Sequence, residues 1–506
     1  MDVAIIGAGF SGIGMAIRLR QEGYEDFAIL ERAGELGGTW RENTYPGCQC
    51  DVPSHVYSFS FAPNPGWSRT YSHQQEIWDY LRRTAEGFGI TPKIRFGCEV
   101  LVSSWDEGPG EWALETSQGE IRARVLVNAP GGLAEPALPE PPGLDRFQGT
   151  SFHSAEWNHD HDLTGERVAV IGTGASAIQF GPAIQPRVDK LHVFQRSAPW
   201  IMPHRDRPIS RLERGLYRRF PRLQRFVRSW AYLIREIAVP GFAFDHRLNR
   251  PIQRIAEAHM RKQVADPELR RRLTPDYEIG CKRILPSNRW YPMLQQPNVE
   301  LVTDGIAEVR ERSIVTADGT EREVDTIIFG TGFRVLEMPA MQRVRGRDGR
   351  TLAETWAGAP QAYMGTSVAG FPNMFILLGP NTGLGTNSVV FMAEAQMDHA
   401  IGCLRAMEAE RAAICEVAPS AQDEWNRRIQ HRSRRSVWTA GGCASWYLDE
   451  QGRNRAIWPG YSWRFRQLAK RMRREDYRLR PAPSQVPAPA PASAGQPSTP
   501  PDRVAA

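Results

Sequence analysis

An α/β fold with two parallel-sheet units, the second set inside the first, follows from three observations on the sequence. A short apolar run, Val3-Ala4-Ile5-Ile6, leads into Gly7-x-Gly9-x-x-Gly12 and a helix-like stretch ending near Gly23. The pattern returns at Val168-Ala169-Val170-Ile171 and Gly172-x-Gly174-x-x-Ala177. Two more apolar runs follow the second copy, each closed by a glycine turn: Asp325-Thr326-Ile327-Ile328-Phe329 into Gly330-Thr331-Gly332, and Met374-Phe375-Ile376-Leu377-Leu378 into Gly379-Pro380. Such runs bounded by glycine suit strands buried on both faces of a parallel sheet.

In the first unit the turn passes to a second strand, Phe27-Ala28-Ile29-Leu30, which ends in Glu31. Gly7, Gly9, Ser11 and Gly12 make a candidate cradle for a pyrophosphate, because a tight glycine turn lets backbone amides and a helix N-terminus approach the anion closely. Glu31 stands where a carboxylate accepts hydrogen bonds from ribose hydroxyls. In the second unit the turn is Gly172, Thr173, Gly174, Ala175 and Ser176, and the strand Leu191-His192-Val193-Phe194 is followed by Gln195, Arg196 and Ser197. Gly7 to Glu31 and Gly172 to Arg196 have the same spacing. An acid there repels a 2′-phosphate, whereas an arginine pairs with one. The first unit therefore suits FAD and the second NADPH, and the fold class is two Rossmann-like dinucleotide-binding domains.

The expected organisation is an FAD-binding domain over residues 1–150, an NADPH-binding domain over 160–305 inserted into it, and a return to the first domain over 310–475. Both late strands are assigned to that return. Within the second domain a helical insert is expected at about 205–280. Its first part interleaves arginines with Tyr217, Phe220, Phe226 and Trp230, read as an aromatic side packed on the second domain, with a basic amphipathic helix at a membrane surface as the competing reading. Residues 481–506 are rich in Pro, Ala and Ser and are expected to lack fixed structure.

Composition narrows the function classes. The 506 residues carry a formal charge of +6, small for this length, which suits anionic small ligands better than nucleic acid. Seven scattered cysteines argue against a secreted disulfide framework, and Cys48 and Cys50 are read as ordinary thiols. The N-terminal apolar stretch is a strand and turn rather than a signal peptide, and no apolar run reaches spanning length, so a cytoplasmic protein without membrane attachment is expected.

Between the two units lies Phe147-x-Gly149-x-x-x-His153-x-x-x-Trp157-Asn158. Taken alone it is a packed junction with a hydrogen-bonded histidine. The pattern resembles the fingerprint of the type I Baeyer–Villiger monooxygenases, which precedes the second glycine motif in that family; Asn158 stands where the family has proline or aspartate. Trp157 separates it from the related flavin-containing and N-hydroxylating monooxygenases. Gly37-Gly38-Thr39-Trp40 and Tyr45-Pro46-Gly47-Cys48-Gln49-Cys50-Asp51 resemble the family's flavin-contacting loops. The resemblance implies that Gly38, Thr39, Trp40, Asp51 and Tyr57 bind the flavin and that the backbone of Val100 meets the adenine. It further implies Lys282 on the NADPH 2′-phosphate, Arg283 over the flavin, and Trp446 covering the nicotinamide side.

The implied reaction consumes NADPH and O2: a peroxyflavin attacks a ketone carbonyl and an ester or lactone results. A guanidinium stays charged when buried, so Arg283 suits an anionic oxidant and an anionic adduct, while Asp51 holds it and offsets its desolvation. Without the resemblance a Lys-Arg pair reads as a solvated loop. Three rivals remain at this stage: an N- or S-oxygenating flavin-containing monooxygenase, a reductase passing electrons onward, for which no disulfide is evident, and an idle dinucleotide-binding regulator.

Overall fold

The computed structural model describes residues 1–335 and 339–481; the tail singled out above falls, from residue 482 on, outside them. Two five-stranded sheets carry the architecture, and both are parallel throughout. The first has the spatial order Met374–Ile376, Val125–Asn128, Val3–Ile6, Phe27–Leu30, Ile94–Arg95. The second has the order Val299–Val302, Lys190–Phe194, Arg167–Ile171, Thr326–Phe329, Thr150–His153. In each, the strand before the glycine turn is central, and a neighbour lies on either side. A crevice then opens at its carboxyl end, where nucleotides bind in such sheets.

One late strand is where the sequence reading put it and one is not. Met374–Ile376 completes the first sheet beside Val125–Asn128. Thr326–Phe329, assigned to the first domain above, instead pairs with Val168–Ile171 and with Thr150–His153 in the second sheet. The second unit thus draws strands from both sides of its glycine motif. An apolar run of four residues fits either sheet equally well, so its sequence could not decide between them.

Hydrogen bonding repeats between the units. The Gly7 amide donates to the Leu30 carbonyl at 2.9 Å, and the Gly172 amide to the Phe194 carbonyl at 3.0 Å. The first unit's helix, Phe10–Gln21, is apolar nearly all round and is buried against Val389–Ala409. In the second unit the helix is Ala177–Ile184.

The helical insert forms Arg211–Arg219, Pro221–Glu236, Arg250–Gln263 and Pro267–Leu273. Its packing differs from the expectation. Tyr217 is buried, but Phe220, Phe226 and Trp230 are exposed. The inward face of Pro221–Glu236 sits on loops of the first domain through polar groups: Gln224 donates to Asn64 O, and Arg228 to His55 O and Ser58 O. Desolvated backbone carbonyls in those loops require donors, and long polar side chains satisfy them better than aromatics do.

Candidate functional site

A cavity of about 1540 Å³ runs along the carboxyl ends of both sheets. That exceeds the roughly 300–1,000 Å³ that holds one drug-sized ligand. Its wall includes Gly7, Gly9, Ser11, Glu31, Gly38, Thr39, Trp40, Asp51, Tyr57 and Val100 from the first unit. Gly172, Thr173, Gly174, Ala175, Ser176, Arg196, Ser197, Lys282, Arg283 and Trp446 face the same space. Gly12 does not line it; its place is behind the turn, where a Cβ would stand 1.9 Å from the Gly7 carbonyl oxygen.

The first cradle is shaped for backbone approach. Gly7 has φ +93°, and a Cβ there would meet the Ala129 carbonyl oxygen at 2.6 Å. Glu31 is buried, with Oε2 accepting from the Ala8 amide at 2.7 Å and Oε1 from the Ala33 amide at 2.9 Å. Each carboxylate oxygen has a second lone pair, so the acid keeps acceptor capacity for hydroxyls while its orientation is fixed by the turn. At the cavity wall the buried amide nitrogen of Asn128 lacks a partner among the described residues, a donor that a ligand's acceptor would complete.

The second cradle is shaped for a more anionic ligand. Gly172 repeats the strained corner at φ +108°, with the Gly330 carbonyl oxygen 2.5 Å from a would-be Cβ. The Lys282 ammonium donates to Ser197 Oγ at 2.7 Å and lies over the Tyr277 ring. Burial, then the neighbouring charge of Arg196, lowers its pKa. Among the described residues no carboxylate lies within ion-pair distance of either cation. Two cations drawn together without a counter-ion fit a phosphate dianion.

Arg283 and Asp51 meet between the cradles as a bidentate pair, Nε to Oδ2 and Nη2 to Oδ1, both 2.6 Å. The carboxylate holds the guanidinium pKa above its ordinary value against the opposing effect of burial. Burial pushes the Asp51 carboxyl up, yet the adjacent Arg283 charge and hydrogen bond outweigh it and keep the group ionised. Arg283 leaves 41% of its side chain accessible, and it lines the cavity. Trp40 donates to the Tyr57 hydroxyl at 3.0 Å, so these two rings fix one another beside the pair.

The fingerprint residues do not reach the cavity. Gly149 lets the chain pass the Asp325 carbonyl, which a Cβ would meet at 2.2 Å. His153 is buried at the end of the outermost strand of the second sheet, accepting from the Ala155 amide at 3.1 Å; burial lowers its pKa. Trp157 packs on Phe180 of the second unit's helix, and Phe147 packs at the edge of the core beneath that sheet. The segment builds the joint between the units.

Several residues at the site were given no role by the sequence. Gln179 bridges the units: its amide donates to Gln49 O at 2.9 Å and its carbonyl accepts from Gln49 N and the Tyr45 hydroxyl, both 3.1 Å. Tyr447 is buried beside Arg283, where burial raises its pKa and keeps the phenol protonated. Arg455, fully buried, pairs with Asp449 at 2.8 Å and pins the loop that bears Trp446 and Tyr447. Cys281 and Cys443 form a disulfide that ties this loop to the Lys282-Arg283 segment. Nothing in the sequence marks this bridge, because a link across so long a separation leaves no spacing pattern. Neither cysteine lines the cavity, so the bridge is no electron relay to a ligand there. Cys48 and Cys50 are free and buried, and burial pushes the Cys48 thiol up to about 12, as inert thiols require.

Residues 4–225 match the family model described as pyridine nucleotide-disulphide oxidoreductase. A Baeyer–Villiger monooxygenase of Streptomyces coelicolor is 51% identical over 487 residues, covering 96% of this chain and 94% of that protein. One from Pseudomonas aeruginosa is 50% identical over 483 residues, covering 95% and 92%. Among solved structures, an oxidised steroid monooxygenase bound to NADP superposes with a TM-score of 0.83 at 31% identity, covering 95% of this chain and 99% of that one.

Proposed function

The chain belongs to the Baeyer–Villiger monooxygenases, and from that membership we propose that it holds FAD at the Gly7 cradle and NADPH at the Gly172 cradle to oxygenate a small-molecule ketone. One oxygen of O2 enters beside the carbonyl and gives an ester or lactone. When bound, the flavin reduced by NADPH supplies the oxygen-transfer chemistry. The observation that carries the reading is the bidentate Arg283–Asp51 pair facing a cavity shared by both cradles.

Oxygen transfer to a carbonyl passes through an adduct with negative charge on oxygen, and a fixed guanidinium lowers the energy of that charge without reorganising. Asp51 aims the guanidinium and lessens its burial cost, and the Trp40–Tyr57 contact walls the same region from water. Lys282, Ser197 and Arg196 bind the 2′-phosphate, which orients the coenzyme toward the first cradle. Oxygenation at nitrogen or sulfur needs no stabilised oxyanion and would leave Arg283 without a task.

The test is Arg283→Ala. Ester formation should fall about a hundredfold or more, corresponding to about 3 kcal/mol, while flavin content persists and NADPH oxidation continues with hydrogen peroxide as product. Near wild-type coupling of NADPH to ester in this variant would make Arg283 a bystander.

A further inference from the structure

The helix Pro221–Glu236 leaves a second apolar stripe exposed, opposite the side it packs on the core. Its inward face packs Val227, Ala231 and Tyr232 against the core and is anchored by polar contacts: besides Gln224 and Arg228, Arg235 donates to Thr386 O at 3.2 Å, and the buried Glu236 carboxylate accepts from Ser462 N, Ser462 Oγ and Asn387 Nδ2 at 2.7–3.0 Å. Its outward face carries Leu223, Phe226, Trp230, Leu233 and Ile234, continued by Ile237. At helical spacing these six fall within an arc of about 100°. Phe226, Trp230 and Ile237 are 65%, 59% and 76% exposed, far from the behaviour of scattered surface apolar residues.

Exposed arginines lie on this helix and on the helix before it. Arg211, Arg218, Arg219, Arg222 and Arg225 are exposed, and among the described residues no carboxylate lies within ion-pair distance of them. From residue 211 to 255 the sequence has eleven arginines against three acids, Glu213, Glu236 and Asp245. Two of those acids are engaged: Glu213 with Arg207, and Glu236 as above. No helix among the described residues is long and apolar enough to cross a bilayer.

We propose that this face docks on the surface of an anionic phospholipid bilayer, with the apolar stripe in the acyl boundary and the arginines at the headgroup phosphates. The charge selects lipid over a second copy of the chain. A two-fold contact would set the same arginine cluster against itself, with only the exposed Asp245 of the three acids left to answer it. Anionic headgroups answer it directly, each basic residue near the surface adding attraction. The helix also holds Asn387, which lines the cavity, so the docked face lies one helix away from the site.

The test uses the FAD-loaded enzyme and sedimentation with phosphatidylcholine vesicles, with and without about one third phosphatidylglycerol. The expected result is binding at least about tenfold tighter to the anionic vesicles, weakened by salt. The triple variant Phe226→Ser, Trp230→Ser, Ile237→Ser should lose it while keeping flavin content and turnover. The idea is overturned if the enzyme ignores both vesicle types, or if the triple variant binds as well as the parent. It is equally overturned if light scattering shows a dimer that the triple variant dissolves, which would assign the face to a second copy.

Discussion

At the residue scale, the glycines of the first turn serve separable needs. A Cβ on Gly9 has no neighbour closer than Gly38 Cα at 3.7 Å, whereas one on Gly12 would overlap the Gly7 carbonyl. Gly9→Ala should therefore leave the flavin-free protein's melting unchanged and cut FAD retention, by standing where the pyrophosphate approaches. Gly12→Ala should lower both, with a stability loss of about 1–3 kcal/mol from overpacking. Equal melting of the two apo-proteins would refute the distinction. In the second unit the charged residues are separable by coenzyme. Because charge-assisted bonds are worth about 1.5–3 kcal/mol each, Arg196→Ala should raise the Michaelis constant for NADPH about tenfold or more, with little change for NADH. A parallel rise for both coenzymes would show that Arg196 does not read the 2′-phosphate.

At the element scale, the two glycine motifs and their following strands were legible because they obey local rules: strand, turn and helix within a few tens of residues. Arg196 and Glu31 were legible as an opposed pair for the same reason. What the sequence hid depends on long-range placement. The strand Thr326–Phe329 changed sheets, Gln179 reached Gln49, and Phe226 and Trp230 turned outward, each set by a partner far along the chain. The Asp51–Arg283 pair is of this kind too, and only the family resemblance brought its halves together. The disulfide is a further case with a measurable consequence. Cys281 and Cys443 are 162 residues apart, so the bridge removes much chain freedom from the unfolded state and holds the Trp446 loop over the Lys282 segment. Cys443→Ser should cost about 2–4 kcal/mol in a denaturant titration and raise the Michaelis constant for NADPH severalfold at constant flavin content. Identical midpoints with and without reductant would count against this tether.

At the scale of the whole molecule, burial of histidines sets how the fold responds to acid. His399 lies in the core, bonded to the Tyr477 hydroxyl at 2.7 Å, and burial brings its pKa down to about 4. His55, beneath the helical insert, is brought to about 4 by burial and then by the charge of Arg228. In the unfolded chain both titrate near 6.5. A depressed histidine is neutral in the native state, so its stabilising effect is complete above about pH 6.5. As the pH falls from there toward 4 the unfolded chain takes up protons that the native state refuses, and stability declines by up to about 1.4 kcal/mol per pH unit for each histidine. The carboxylates act in a different window. Asp325, held to about 2 mainly by its hydrogen bonds from Arg167, loses its contribution progressively from about pH 5 downward, most of it below its ordinary value of 3.8. The interval from pH 6.5 to about 5.5, above the range where glutamates such as Glu213 begin to lose theirs, therefore isolates the histidines. Urea midpoints of the FAD-loaded enzyme should fall steadily across it, and His399→Gln should flatten the slope even though it lowers the midpoint at pH 7. If that variant keeps the parent's full pH dependence, proton uptake by some other group drives the acid response.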